Sequence, residues 1–288
     1  MFIKPRNILF LFIIFCANLL SPIYAQKMPA PAAPIIGAKS YLLIDNDTGN
    51  ELVSLKPDSR LAPASLTKLM TAYVVFVSLR EGQIRLEDEV TVSEKAWRTP
   101  GSRMFIEVGT QVSIEELVLG MIVQSGNDAS VALAEHVAGT ESVFAQMMNQ
   151  YAATLGMHSS NFENSTGLPG DNHYSTARDL ATLARAIISE FPEYYRWYSV
   201  REYEYNGISQ PNRNALLFRD ESVDGMKTGS TDDAGYCLVS SAERDGMRII
   251  SVVLGTSSAK SRIDGSQALL NYGFRFFETH LLYRASEK

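Results

Sequence analysis

The chain has 288 residues, with 26 Lys and Arg against 32 Asp and Glu, a net charge of −6. Hydrophobic residues make up 45% and charged residues 20%, which excludes disorder, collagen and a whole-chain coiled coil. The acidic balance leaves no basic face for a nucleic acid, and two cysteines without C-x-x-C or H-E-x-x-H patterns leave no disulfide framework, metal site or cofactor to expect.

Lys4 and Arg6 precede an apolar run from Ile8 to Leu20 and a small-residue exit ending at Ala25. This reads as a secretory signal peptide over residues 1–25, hence export across the inner membrane to the periplasm. The run is shorter than the roughly 20 residues of a bilayer span, so an uncleaved anchor is the weaker reading. Cys16 follows Phe15, where a lipobox needs a small residue, so it belongs to the apolar run. Residues 26–34, rich in Ala and Pro, form a flexible lead-in. Residues 35–288 then form one domain, without internal repeat or linker.

Tyr41 to Asp45 and Glu51 to Leu55 flank Asn46-Asp-Thr-Gly49, a hairpin. Ala64 to Leu79 is apolar on nearly every side, a buried helix. Ser113 and Glu116 make a capping box that opens a helix through Val123, and a second runs from Asp128 to Val137. Phe144, Met147, Met148, Tyr151 and Leu155 recur at helical spacing before Gly156. Thr176 to Asp179 caps another helix, with Leu180, Leu183, Ile187 and Ile188 inward and Pro192 at its end. Tyr236 to Ser241 and Met247 to Leu254 flank Asp245-Gly246, a second hairpin. Ile263, Leu270, Phe274, Phe277 and Leu281 form a final helical stripe. A membrane anchor competes with core packing there, and the spacing favours the core. Strands at both ends of the chain with helices between them imply an α+β fold whose sheet joins the two ends.

Three motifs stand in order: Ser65-Leu-Thr-Lys68, Ser125-Gly-Asn127 and Lys227-Thr-Gly229. Each alone is weak; together, at element boundaries, they match the set used by penicillin-binding proteins and β-lactamases. Spacing of i, i+3 puts Ser65 and Lys68 on one helix face. The helix start favours negative charge near Ser65. Holding a lysine neutral at pH 7 costs about 4.6 kcal/mol, which burial and a nearby cation, Lys227, would offset.

Around these motifs the chain resembles the serine D-alanyl-D-alanine carboxypeptidases, the low-molecular-mass penicillin-binding proteins. The resemblance spans roughly residues 35 to 283. It includes Pro63 to Thr71, Ser125 to Ala129, Tyr174 to Asp179, Asn212-Arg-Asn214, Asp224 to Asp232 and Gly273 to Glu278. It implies the penicillin-binding transpeptidase/β-lactamase-like fold, an antiparallel sheet flanked by helices with a helical lobe, and a site in the cleft between. It implies Ser65 as nucleophile, Lys68 as its base, and Ser125 as proton relay to the leaving D-alanine. Asn127 would hold the peptide amide, Lys227 tune the field, and Thr228, in Lys227-Thr228-Gly229, bind the carboxylate. The backbone N–H groups of Ser65 and Ser230 would form the oxyanion hole. Arg262, more than Arg213, would supply a further cation for the carboxylate.

Two departures stand out. Ser230 occupies a position where relatives often have His, which should shift rate or preference. Many relatives continue into a β-rich domain and an amphipathic anchor, whereas this chain stops at Lys288, which leaves membrane association in doubt. The implied partners are peptidoglycan stem peptides ending in D-Ala-D-Ala and β-lactam antibiotics. A β-lactamase, a D,D-endopeptidase and a non-catalytic penicillin-binding protein are the alternatives. Glu163 is the one acid that could act as a deacylating base, but its surroundings lack E-x-x-x-N. His136 reads as a helix-end charge, and His158, His173 and His280 lack triad partners. Cys237 reads as a core residue.

Overall fold

The computed structural model describes residues 31–280, and the residues from Ala33 onward form one unit. The signal-peptide reading and Leu281 lie outside the described residues. Strands β1 (Ser40–Asp45) and β2 (Glu51–Leu55) form the first predicted hairpin. Its turn is fixed by the Asp45 carboxylate, which accepts from the Thr48 N–H at 2.7 Å and the Thr48 hydroxyl at 2.6 Å. A 3₁₀ turn, Ala64–Thr67, leads into α1 (Lys68–Arg80). Every residue of α1 from Lys68 to Ser78 is buried, as its unbroken apolarity predicts.

A short strand β3 (Glu89–Thr91), helix α2 (Glu94–Arg98) and strand β4 (Gln111–Ser113) precede α3 (Ile114–Val123). The predicted capping box is present: Ser113 Oγ accepts from the Glu116 N–H, and the Glu116 carboxylate accepts from the Ser113 N–H. Then come α4 (Asn127–Ala138), α5 (Glu141–Thr154) and α6 (Ala177–Glu190), the last capped by Thr176 as expected. Pro192 does end α6, and it also opens a one-turn helix, α7 (Pro192–Tyr195).

Strands β5 (Glu202–Tyr205) and β6 (Ile208–Pro211) form a small hairpin, and a short α8 (Leu216–Arg219) follows. Strands β7 (Val223–Thr231), β8 (Gly235–Arg244) and β9 (Met247–Thr256) precede α9 (Ala259–Phe276). Asp245 and Gly246 both take positive φ, the requirement of a two-residue hairpin turn.

The main sheet is antiparallel throughout, in the order β2-β1-β9-β8-β7. The pairing of β1 with β9 joins the two ends of the domain, as expected. Alternation along the strands divides the core. Leu43, Leu238, Ile249 and Val253 face α9 through Leu269 and Leu270, while Leu42, Ile44, Val239 and Val252 face the helical lobe. The aromatic stripe of α9 therefore packs on the sheet. One correction applies: α9 ends at Phe276, and Phe277 is an extended capping residue. Among the described residues no helix is long and apolar enough to cross a membrane.

Candidate active site

Strand β7 is an edge strand, yet Gly225 to Gly229 are buried. The 3₁₀ turn that carries Ser65 packs directly against it. The approach is so close that a Cβ on Gly229 would stand 3.0 Å from the Pro63 carbonyl oxygen and 3.1 Å from the Ser65 nitrogen. Glycine is required there by contact. Two non-glycine residues hold positive φ at the site: Ala64 at 48° and Ser125 at 63°. Such backbone stores strain, and it aims the residues of two motifs into one cleft.

Ser65 lies in the 3₁₀ turn, and Lys68 is the first residue of α1. The Lys68 amine, fully buried, sits 3.2 Å from Ser65 Oγ. It donates to Asn127 Oδ1 at 2.6 Å and to the Thr166 carbonyl at 2.6 Å. Asn127 Nδ2 donates to the Pro100 carbonyl, which fixes the orientation of the amide. Two of the three tetrahedral directions at Nζ thus face oxygens that only accept. The third faces the Ser65 hydroxyl, and in a neutral amine that direction carries the lone pair.

Burial lowers Lys68 from 10.5 to about 7, against an opposing pull from Asp128. The Asp128 carboxylate is itself occupied, accepting from the backbone N–H groups of Met104, Phe105 and Ile106. Lys227 is also fully buried, and its amine has one acceptor, the Thr228 carbonyl at 3.3 Å. Burial first, then the positive charges of Lys68, Arg262 and Arg213, hold it well below the usual lysine range. Burial is the leading cause at both amines, and the Lys68 charge adds to it at Lys227.

The other expected residues gather around this pair. Ser125 and Thr228 are buried, and their hydroxyls make no hydrogen bond within the described residues. Ser230 is exposed at the end of β7. Arg262 is buried and donates through Nη1 to the Gly229 carbonyl at 3.0 Å, while its Nε has no partner. Arg213 is exposed, and its guanidinium makes no hydrogen bond or ion pair within the described residues, yet its charge is felt at both Lys227 and Arg262. Arg262 is thus engaged with the strand through Nη1, and the Arg213 guanidinium is free within the described residues.

The bland readings are located too. Glu163 is exposed and lies over Gly170 rather than Ser65. His136 is exposed in the last turn of α4, and Cys237 is buried in β8. His173 is buried with its Nε2 at 2.8 Å from Thr67 Oγ1. Its low exposure keeps it neutral, with a pKa lowered to about 4.

Sequence reasoning passed over Asn164-Ser-Thr-Gly167. Its Thr166 carbonyl is a ligand of Lys68, and a Cβ on Gly167, at φ 84°, would fall 1.8 Å from the Ala64 carbonyl oxygen. The one available signal was a glycine in a Ser/Thr/Asn cluster, which marks a turn without its contact.

The sequence model of the D-alanyl-D-alanine carboxypeptidase family matches residues 27–258. The chain is 47% identical over 254 residues to D-alanyl-D-alanine carboxypeptidase DacC of Escherichia coli, covering 86% of this chain and 64% of that protein. It is 46% identical over 260 residues to DacA of Haemophilus influenzae, covering 88% and 66%. It thus spans just under two thirds of each of these relatives. The crystal structure of penicillin binding protein 5 from H. influenzae superposes with a TM-score of 0.83 at 47% identity, over 85% of this chain and 72% of that one.

Proposed function

The chain belongs to the D-alanyl-D-alanine carboxypeptidase family, and on that footing we propose that it is a serine D,D-carboxypeptidase that removes the terminal D-alanine from peptidoglycan stem peptides and is acylated by penicillins. The observation that carries this reading is the Lys68 amine, held by two carbonyl oxygens with its third direction on Ser65 Oγ at 3.2 Å. A pure binding protein has no use for a buried lysine poised near neutrality beside a hydroxyl.

The chemistry follows from the geometry. The Ser65 hydroxyl passes its proton to neutral Lys68, and Oγ attacks the carbonyl carbon between the two D-alanines. The oxyanion forms beside the Ser65 N–H, against which β7 packs at Gly229; the Ser230 N–H would be its second donor. The tetrahedral intermediate collapses, the C–N bond breaks, and the leaving nitrogen takes a proton from Lys68 through Ser125. Water then hydrolyses the Ser65 ester. Lys227, Arg213 and Arg262 supply positive charge for the free carboxylate of the substrate. An incoming carboxylate favours the charged form of Lys227 and offsets part of that lowering.

The charged start, apolar run and small-residue exit of residues 1–25 support a place in the periplasm, where the substrate is. The activity is tested by incubating the protein with a labelled penicillin and with a peptide ending in D-Ala-D-Ala. A stable adduct together with release of free D-alanine is expected. Rapid turnover of the penicillin without D-alanine release would instead make it a β-lactamase, and neither reaction would leave a binding protein.

A further inference from the structure

Buried behind the Ser65 turn, His173 has both ring nitrogens engaged. Nδ1 faces two groups that can only donate there: the Glu163 N–H at 3.5 Å and Asn164 Nδ2 at 3.2 Å. Asn164 is fixed in this orientation because its Oδ1 accepts from the Thr166 N–H at 3.1 Å, the Thr166 hydroxyl at 2.9 Å and the Gly167 N–H at 2.7 Å. Nδ1 is therefore an acceptor, the proton sits on Nε2, and Nε2 donates to Thr67 Oγ1. The ring spans two segments that meet at the base: the turn holding Ser65, Thr67 and Lys68, and the turn whose Thr166 carbonyl accepts from Lys68. Ser165 is held separately, its N–H donating to the Glu141 carboxylate and its carbonyl accepting from Thr71 Oγ1. The Asn164 amide nitrogen has only His173 and the Leu168 carbonyl.

We propose that His173 is a positioning residue for the general base: through Asn164 it fixes the Thr166 carbonyl that holds Lys68 on Ser65. The inference rests on the carboxypeptidase reading. A buried neutral imidazole suits the task, because it accepts at one nitrogen and donates at the other without adding a positive charge to a site that already gathers four basic side chains.

Two conservative variants separate this role from plain packing. An Asn amide oxygen overlays Nδ1, so His173→Asn keeps the bond to Asn164 and loses the one to Thr67. A Gln amide overlays Nε2, so His173→Gln does the reverse. The measurement is the rate constant for acylation by a labelled penicillin, with the final adduct normalising to the folded fraction. His173→Gln is expected to slow acylation by about ten- to a hundredfold, the scale of an ångström-sized misplacement, with apparent affinity for the penicillin little changed. His173→Asn should stay within about fivefold of wild type. Asn164→Ala should reproduce the Gln effect, and combining His173→Gln with Asn164→Ala should be no slower than either alone, since both cut one chain of contacts. Equal losses in the Gln and Asn variants, or additive losses in the double variant, would overturn the proposal; should His173→Gln not fold, Asn164→Ala at wild-type rate would do the same. A wild-type protein that takes up no adduct would instead sink the carboxypeptidase reading, and this inference with it.

Discussion

Lys68 should work as a neutral amine, and its protonation should be visible twice, in rate and in stability. With a pKa of about 7, the acylation rate should fall tenfold per pH unit well below 7 and level off above it. Stability carries the same proton. The folded value lies below the unfolded 10.5, so between about 7 and 10.5 the unfolded chain binds a proton that the folded chain does not. Stability contributed by this group therefore rises with pH across that window, by about 5 kcal/mol in full at 1.36 kcal/mol per pKa unit. Below pH 7 the whole penalty is present. Lys68→Met removes it but leaves Asn127 Oδ1 and the Thr166 carbonyl without their donor, at about 1–3 kcal/mol each. The two effects nearly cancel at pH 7, so the absolute stability of the variant is uninformative and its pH dependence is the test. Urea unfolding of wild type and Lys68→Met at intervals from pH 6 to 9.5 should show the wild type gaining on the variant with pH. Penicillin acylation of Lys68→Arg should be lost although charge is kept, because Arg stays protonated. Parallel stability curves, or an arginine variant that acylates normally, would refute the reasoning.

Five further outcomes are expected. Ser65→Ala should fold normally and gain no penicillin adduct by intact-mass spectrometry; an adduct on the variant would move the nucleophile elsewhere. Gly229→Ala must push β7 and the Ser65 turn apart by a few tenths of an ångström, so acylation should drop by at least about tenfold while the melting temperature shifts by only a few degrees. Arg213→Ala, removing an exposed and unengaged cation, should cost about 1 kcal/mol, or about fivefold in kcat/KM, on a free-acid peptide and nothing on an amide-capped one. Arg262→Ala should lose about 1.5–3 kcal/mol on the free-acid peptide and less on the amide-capped one, where only the donor to the Gly229 carbonyl is missed; equal losses on the two substrates would mean that Arg262 only supports the fold. In fractionated cells, a chain cleaved after Ala25 should appear in the periplasmic fraction, and a full-length chain in washed membranes would argue for an anchor.

The parts of the fold legible in the sequence are those specified by neighbours in the chain. Two of the three hairpins of the main sheet announced themselves through Asn46-Asp-Thr-Gly49 and Asp245-Gly246, where Gly49, Asp245 and Gly246 take positive φ. The caps at Ser113 and Thr176 were legible for the same reason. The hairpin of β5 and β6 was legible too, in the alternation of Glu202-Tyr-Glu-Tyr205 and the positive-φ pair Asn206-Gly207, but the sequence analysis passed over it. At the site, Ser65, Lys68, Asn127 and Lys227 could be named because their side chains carry the chemistry. The Thr166 carbonyl could not, since every residue has a carbonyl and only the fold selects one. The positive φ of Ala64 and Ser125 was equally hidden, because neither residue type favours it and the surrounding packing imposes it.

Charge explains why the site tolerates such an arrangement. Lys68, Lys227, Arg213 and Arg262 converge on one cleft, and Asp128, the acid that acts on Lys68, is already engaged by four backbone donors. Without an anion, burial disfavours the charged form of both amines and lowers Lys68 to about 7, a cost set against folding stability before any substrate arrives. A carboxylate entering beside Arg213 and Lys227 supplies the missing negative charge. It favours the charged form of Lys227, while burial still holds Lys68 low enough to act as base. Had mutual repulsion been what kept Lys68 neutral, a bound carboxylate would have screened it and raised the pKa of the base at the moment it is needed. Burial as the leading cause at the base lets one cleft bind an anion and remove a proton at the same pH.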